Sequence, residues 1–345
     1  EVPFFWKFMP QKIALVLVSF LSLFLELSFI RWLPAHIFSL AFFSNVILIA
    51  SFLGLGLGFL LSHHKRDFFI FFPYILAAFL CLVLFLQNIR VTLPANAQTW
   101  IWSYYQGNRL YNVSFLKLTI TQLIGLIFAL TVTVFIPIGQ KTGKLMQGFD
   151  PLAGYTMNIL GSLLGVIGFG ILAFFHTPAY IWFLLAGFII IAVNYKKRGF
   201  ILSLLLIAAI VFIVGFSEKD ILWSPYYSIK LRKTDNKGVA VYINQLFHQK
   251  AVNFAEEPAT FEKYMLAYRW FSPKRVLIIG SGTGNDVWIA RKAGVEHIDA
   301  VEIDPLILKL GYKEHPQHPY DSDKVRVFVD DARSFMHRVH GEYDM

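Results

Sequence analysis

Acidic residues are nearly missing from the first part of this chain. Up to Phe216 the sequence holds only Glu1, Glu26, Asp67 and Asp150, against 13 lysines and arginines. Charge is scarce overall, at 15% of 345 residues, where soluble domains carry about a quarter. There is one cysteine, Cys81, so no internal disulfide can form and the redox compartment is not readable. A cleavable signal peptide is not expected, because the first apolar run is long enough to span a membrane. The chain opens on Glu1 and not on Met, and a preceding N-terminal piece is expected. Paired histidines, His63–His64 and His315–His318, have no acid or thiol partners at ligand spacing. They read as solvated loop histidines, and no metal site is expected.

Apolar residues fill the space that charge leaves. The chain is 56% hydrophobic and 17% aromatic, with a mean hydropathy of +0.56. After Phe216 there are 18 basic and 18 acidic residues, so the net +9 belongs to the apolar part. A nucleic-acid footprint needs a basic face on the soluble part, so no nucleic-acid partner is expected.

Seven apolar runs approach the roughly 20 residues that a bilayer demands: 13–30, 37–61, 68–89, 115–138, 152–175, 180–193 and 200–216. The sixth is short. Arg90–Ser114 is rich in aromatics (Trp100, Trp102, Tyr104, Tyr105, Tyr111) and reads as an interfacial loop. Glycines punctuate the second run (Gly54, Gly56, Gly58) and the fifth (Gly161, Gly165, Gly168), which suits close helix packing. Glu26, inside the first run, is expensive at membrane depth. Arg31 is placed to reach back to it as an ion pair, and a proton relay is the alternative.

Lipid is thus the first expected partner, in an inner (plasma) membrane. Topology raises a conflict. With seven spans, Lys7, Lys12, Lys65, Arg66, Lys141, Lys144, Lys196, Lys197 and Arg198 fall on one side, and Arg31, Arg90, Arg109 and Lys117 on the other. The excess of basic residues puts the N-terminus in the cytoplasm. An odd count then carries the C-terminal domain outside, whereas nucleotide-type cofactors are cytoplasmic. The soluble domain is expected in the cytoplasm, with the helix count as the weak premise.

The soluble part opens with β character: Tyr226–Leu231 and Val239–Ile243, joined by turn residues 235–238. Ala259–Trp270 reads as a helix. Arg275–Gly280 is an apolar, β-branched run suited to a buried parallel strand. It feeds directly into Gly280-Ser281-Gly282-Thr283-Gly284 and a helix. Glycine-rich strand-to-helix turns let the backbone approach a nucleotide, with helix N–H groups facing it. A second strand ends in Glu302, 18 residues past Gly284, and a third precedes Asp330-Asp331. An acid at the end of the second strand can accept from ribose hydroxyls. The expected architecture is an α-helical polytopic membrane bundle (1–216), a small β-hairpin unit (217–256) and a Rossmann-like α/β domain that binds a nucleoside (257–345), incomplete at its C-terminus.

These motifs carry a resemblance. Val276–Val287 (VLIIGSGTGNDV), Asp299–Pro305 (DAVEIDP), Val329–Phe335 (VDDARSF) and GEYD at 341–344 resemble the spermidine synthase-type members of the S-adenosylmethionine-dependent transferase superfamily. Trp223–Lys230 and Tyr242–Gln249 are similar to that family's N-terminal hairpin. Leu25–Leu33, Phe52–Phe59 and Asn158–Gly165 look like the membrane region of bacterial spermidine synthase-like fusions. The resemblance implies that Gly280, Ser281, Gly282, Thr283 and Gly284 line the nucleoside and its methionine-derived tail. It implies that Glu302 holds the ribose and Asp331 the adenine amino group, while Asp304 caps the next helix. The donor would be S-adenosylmethionine or its decarboxylated form, and the acceptor a small-molecule amine.

Four departures qualify it. Thr283 stands where polyamine synthases carry an Asp that holds the donor amine. The family's hairpin glutamine falls near His248 or Gln249. The Tyr-His-Glu stretch by the acceptor is replaced around Glu262–Tyr264. The sequence ends at Met345 as a fourth strand should begin, and the family's catalytic Asp follows that strand. The catalytic residue is therefore unknown, and a truncated chain is expected. A membrane-anchored aminopropyltransferase is the leading reading. A non-catalytic accessory subunit of a membrane complex, or a transporter-like body, is the alternative, and a membrane methyltransferase is a further one.

Overall fold

The structure, a computed structural model, describes residues 10–87, 91–92, 118–195, 199–339 and 343–345. The chain divides into two units: Glu1–Trp223 with Asn244–Leu246, and Ser224–Ile243 with Phe247–Met345.

The first unit is helical: α1 (Gln11–His36), α2 (Asn45–Leu60), α3 (Phe72–Leu86), α4 (Ile120–Met146), α5 (Pro151–Phe174), α6 (Ala179–Val193) and α7 (Phe200–Ser217). Two-residue strands β1 (Val91–Thr92) and β2 (Leu118–Thr119) pair in parallel before α4, and β3 (Leu222–Trp223) follows α7. Among the described residues six helical stretches are long and apolar enough to cross a membrane; α6 is apolar and shorter. The sixth apolar run was the short one in the sequence too. Of the segment read as an interfacial loop, Val91–Thr92 form β1, and its aromatic residues lie outside the described residues.

Local signals place the helix starts. Thr119 and Gln122 form a reciprocal capping box that opens α4. Asp150 accepts from the Leu152 amide ahead of Pro151 and opens α5. Glycines then set the packing. A Cβ on Gly54 would meet the Val132 carbonyl at 2.5 Å, and one on Gly58 the Ile136 carbonyl at 2.3 Å. A Cβ on Gly161 would meet the Val16 carbonyl at 2.5 Å, and one on Gly165 the Phe20 carbonyl at 2.4 Å. In both pairs the residue numbers rise together, so α2 runs parallel to α4, and α1 parallel to α5. Gly56 meets nothing and faces away.

The buried carboxylate of Glu218 ties three segments of this unit. Its oxygens accept from the Trp32 indole at 2.8 Å, the Trp223 indole at 3.2 Å and the Ala179 amide at the start of α6 at 3.2 Å. A helix N-terminus and two indoles are donors suited to an anion. Arg31 does not bind Glu26 as expected. Its guanidinium lies over the rings of Trp182, Trp223 and Phe169, with centroids 5.3, 5.4 and 5.9 Å away. Five residues along a helix turn a side chain well off its starting face, and the rings of α5 and α6 claim the cation. Glu26 is 4% exposed, and its Oε2 has no hydrogen-bond partner.

The second unit holds an antiparallel sheet and a parallel one. β4 (Ser228–Lys233) pairs antiparallel with β5 (Val239–Ile243), and β6 (Leu246–Ala251) extends that sheet. The parallel sheet has the order β7 (Arg275–Ile279), β8 (His297–Glu302), β9 (Val325–Val329). The helices are α8 (Pro258–Trp270), α9 (Asn285–Lys292), α10 (Pro305–Glu314) and α11 (Ala332–Arg338). Val276, Ile278, Val287, Ala290, Ile298, Ala300 and Leu308 form the core between sheet and helices. Beyond β7, Asp344 N donates to Arg275 O at 2.8 Å and Leu277 N to Met345 O at 2.9 Å, so the last residues lie along its other edge. The Asp344 carboxylate accepts from the Lys274 and Arg275 amides, which holds it below the usual carboxylate range.

Candidate nucleoside-binding site

In a parallel sheet all three strands deliver their C-terminal ends to one edge. Here that edge carries the glycine turn, Glu302 and Asp330-Asp331. Gly280, Gly282 and Gly284 have φ of 69°, 58° and 102°, the left-handed region where glycine costs least. Space demands glycine as well. A Cβ on Gly282 would lie 2.4 Å from Gln249 Oε1, and one on Gly284 would lie 2.3 Å from Pro319 Cγ. The Gly280 and Ser281 amides both donate to the Val301 carbonyl, at 2.8 and 3.0 Å, which fastens the start of the turn to β8.

Glu302 fastens its middle. Oε2 accepts from Gly282 N and Oε1 from Asp304 N, each at 2.9 Å. The carboxylate is 7% exposed. Each oxygen has two lone pairs and has used one on these bonds, so the group retains acceptor capacity for a pair of hydroxyls.

Two residues with no fingerprint in the turn complete it. Gln249, on β6, accepts through Oε1 from the Thr283 amide at 3.0 Å and the Thr283 hydroxyl at 3.2 Å. Of the two hairpin candidates, it is Gln249 and not His248 that reaches the turn. Tyr320 donates its hydroxyl to the Gly282 carbonyl at 2.7 Å and lies 3.0 Å from Ser281 Oγ. Burial pushes the Tyr320 phenol well above its ordinary range. Thr283, where the resemblance implies an Asp, is buried and committed to Gln249.

The remaining acids differ in use. Asp304 is fully buried and caps α10, accepting from Leu306 N at 2.8 Å and Ile307 N at 3.4 Å. Burial and the charges of Asp304 and Glu302 push the Tyr227 phenol upward. Asp331 is exposed at the end of β9, and its Oδ1 accepts from Ser334 N at 3.0 Å as the N-cap of α11. Asp330 pairs with Arg338. At α8, where the resemblance implies the acceptor stretch, Glu262 pairs with Arg269, and the Tyr264 ring packs on Phe254.

His315 departs from the solvated loop expected of it. It is 1% exposed. Its Nδ1 accepts from the Gln317 amide at 3.1 Å, so Nε2 carries the proton and donates to Asn285 Oδ1, also at 3.1 Å. Burial lowers its pKa to about 4. Asn285, the first residue of α9, also accepts from Val252 N and donates to Lys250 O. The neutral histidine thus ties the start of α9, behind the glycine turn, to the segment after α10. His318 is exposed, as expected.

The edge therefore offers a glycine turn, a held carboxylate with spare lone pairs and an exposed acid one strand further on. Residues 258–345 match the family described as the spermine/spermidine synthase domain. The chain carries a spermidine synthase-like domain. Over 76 residues it is 36% identical to polyamine aminopropyltransferase 2 of Hyperthermus butylicus, covering 21% of this chain and 25% of that protein. It is 35% identical over 77 residues to spermine synthase of Arabidopsis thaliana, 21% of each chain. A longer stretch of 139 residues is 27% identical to the polyamine aminopropyltransferase of Hamiltonella defensa, covering 35% of this chain and 47% of that protein. The chain spans about a quarter of the length of the first two aminopropyltransferases it matches. The synthase-like domain accounts for the second unit from α8 onward, and the helical unit lies outside the matched family.

Proposed function

We propose that this chain is a membrane-anchored transferase that moves an aminopropyl group from decarboxylated S-adenosylmethionine to an amine. Glu302 carries this reading, because it braces the turn through Gly282 and still has lone pairs for the ribose hydroxyls. The Gly280–Gly284 turn brings backbone close to the nucleoside, and Asp331 offers an acceptor to the adenine amino group. The anchoring rests on the seven apolar helices of the first unit.

In this reaction the acceptor nitrogen attacks the carbon beside the sulfonium. A C–N bond forms as the C–S bond breaks, the electron pair stays on sulfur as neutral methylthioadenosine, and the attacking nitrogen loses one proton to a base. Sulfonium is a good leaving group, so the domain contributes mainly by aligning nitrogen, carbon and sulfur. A carboxylate that takes the acceptor proton is expected after the fourth strand, the position the resemblance implies.

The test is turnover. The full chain, purified in detergent, is incubated with decarboxylated S-adenosylmethionine and a diamine, and release of methylthioadenosine is followed. Release that depends on the diamine supports the reading. Transfer of a methyl group from the carboxylated donor, with no methylthioadenosine, would replace it with a methyltransferase.

A further inference from the structure

The first unit has two ends that differ in charge. Side-chain contacts identify the first. Gln11, at the start of α1, donates to Leu145 O near the end of α4. Lys141 pairs with Asp67 at 2.8 Å, and Gln140 accepts from Phe68 N at 2.7 Å, which brings the segment before α3 to the same level. Asn194, just past α6, donates to Phe69 O at 3.1 Å. This end thus gathers the start of α1, the link from α2 to α3, the end of α4 and the end of α6.

Glu218 identifies the other end. It joins Trp32 near the close of α1, Ala179 at the start of α6 and the residues just after α7. α6 therefore runs from one end to the other despite its 15 residues, and so does α7. The seven described helices traverse the unit in alternation, which supplies the odd count. The chain leaves this unit after Trp223, at the Glu218 end.

Basic residues choose between the ends. Lys12, Lys65, Arg66, Lys141 and Lys144 lie at the Gln11 end, and the sequence adds Lys7 before α1 and Lys196-Lys197-Arg198 between α6 and α7. Every segment that joins helices at that end thus has lysine or arginine in it or within the flanking helical turns. At the Glu218 end the segments 37–44 and 175–178 contain none, and the link between α3 and α4 contains Arg90, Arg109 and Lys117, so the basic residues still favour the Gln11 end. In membranes such loops face the cytoplasm, and the rule counts basic residues near helix ends with little weight for acids.

We propose that the synthase-like domain lies on the non-cytoplasmic side of the membrane. This rests on the bundle crossing a bilayer and is independent of whether transfer occurs. Its consequence is that donor and acceptor must both reach the domain in that compartment.

Cysteine labelling in whole cells tests it. In a Cys81→Ala background, Asp323→Cys places a thiol on an exposed turn of the second unit, and Lys65→Cys places one in the basic link. A membrane-impermeant maleimide is applied before and after permeabilisation, and alkaline carbonate extraction is run alongside. The expected result is a protein that sediments with membranes, with Asp323→Cys labelled in intact cells and Lys65→Cys only after permeabilisation. The reverse pattern would overturn the proposal while leaving the membrane reading intact. Release of the chain into the carbonate supernatant would remove the membrane reading itself.

Discussion

Glu302 accepts the Gly282 amide at 2.9 Å, and through this bond the end of β8 sets the shape of the turn that follows β7. The second carboxylate oxygen accepts Asp304 N. One side chain therefore braces two backbone segments and, in the proposed function, receives the ribose as well, so its replacement should act on both.

For Glu302→Gln, only one oxygen survives, and an NH2 group is turned toward a backbone N–H. Loss of a buried hydrogen-bond partner costs about 1–3 kcal/mol. The expected outcome is a melting temperature lowered by several degrees and affinity for the decarboxylated donor weakened at least roughly tenfold, about 1.4 kcal/mol. Thermal unfolding and titration calorimetry on the same preparation check the two effects separately.

Gln249→Ala strips the Thr283 amide and hydroxyl of their shared acceptor in the second unit. The expected loss is about 1–3 kcal/mol of stability. Donor affinity should fall because Thr283 precedes the last glycine of the turn. Gln249→Glu keeps an oxygen at that place and should retain most of the stability, which a paired unfolding measurement reads.

His315 gives the second unit a pH dependence. Its folded pKa is about 4, below the ordinary 6.5. The unfolded chain therefore binds the proton first as pH falls. The stability this group contributes is present above pH ~6.5 and is lost as pH falls toward ~4, by at most about 3.5 kcal/mol at ~1.4 kcal/mol per pH unit. Thermal melts across that window should show the decline, and His315→Gln should flatten the part that the imidazole causes. Equal slopes in the two proteins would show that another group is responsible.

Helix packing in the first unit separates two glycines of one helix. Gly54→Val forces a side chain against the Val132 carbonyl, whereas Gly56 meets nothing. Gly54→Val should lower thermal stability in detergent by 10 °C or so, as overpacking against backbone cannot relax cheaply. Gly56→Ala should leave it within a degree or two. Matched melts of the two variants decide whether α2 and α4 lie as close as described.

Much of this was legible in residues adjacent in sequence. The glycine turn, the strand before it and Glu302 at the close of the next strand all fall within 28 residues, and a parallel sheet brings them together by topology alone. Asp304 was also readable as a cap, since Pro305 follows it. What escaped depends on distant segments. Tyr320 reaches the turn from 38 positions beyond Gly282. Gln249 reaches it from another strand, and nothing in its own neighbourhood distinguishes it from His248. His315 looked solvated because Pro316 and His318 suggest an exposed turn, yet Asn285 supplies a buried partner 30 residues away. Arg31 was assigned to Glu26 by proximity in sequence, while the aromatic rings that receive it come from α5, α6 and β3.

Titration of decarboxylated S-adenosylmethionine into the purified full chain and into Glu302→Gln is the most direct measurement. The account predicts saturable one-to-one binding by the native protein and at least tenfold weaker binding by the variant. Absence of binding by the native protein, or equal affinity in the two, would contradict it.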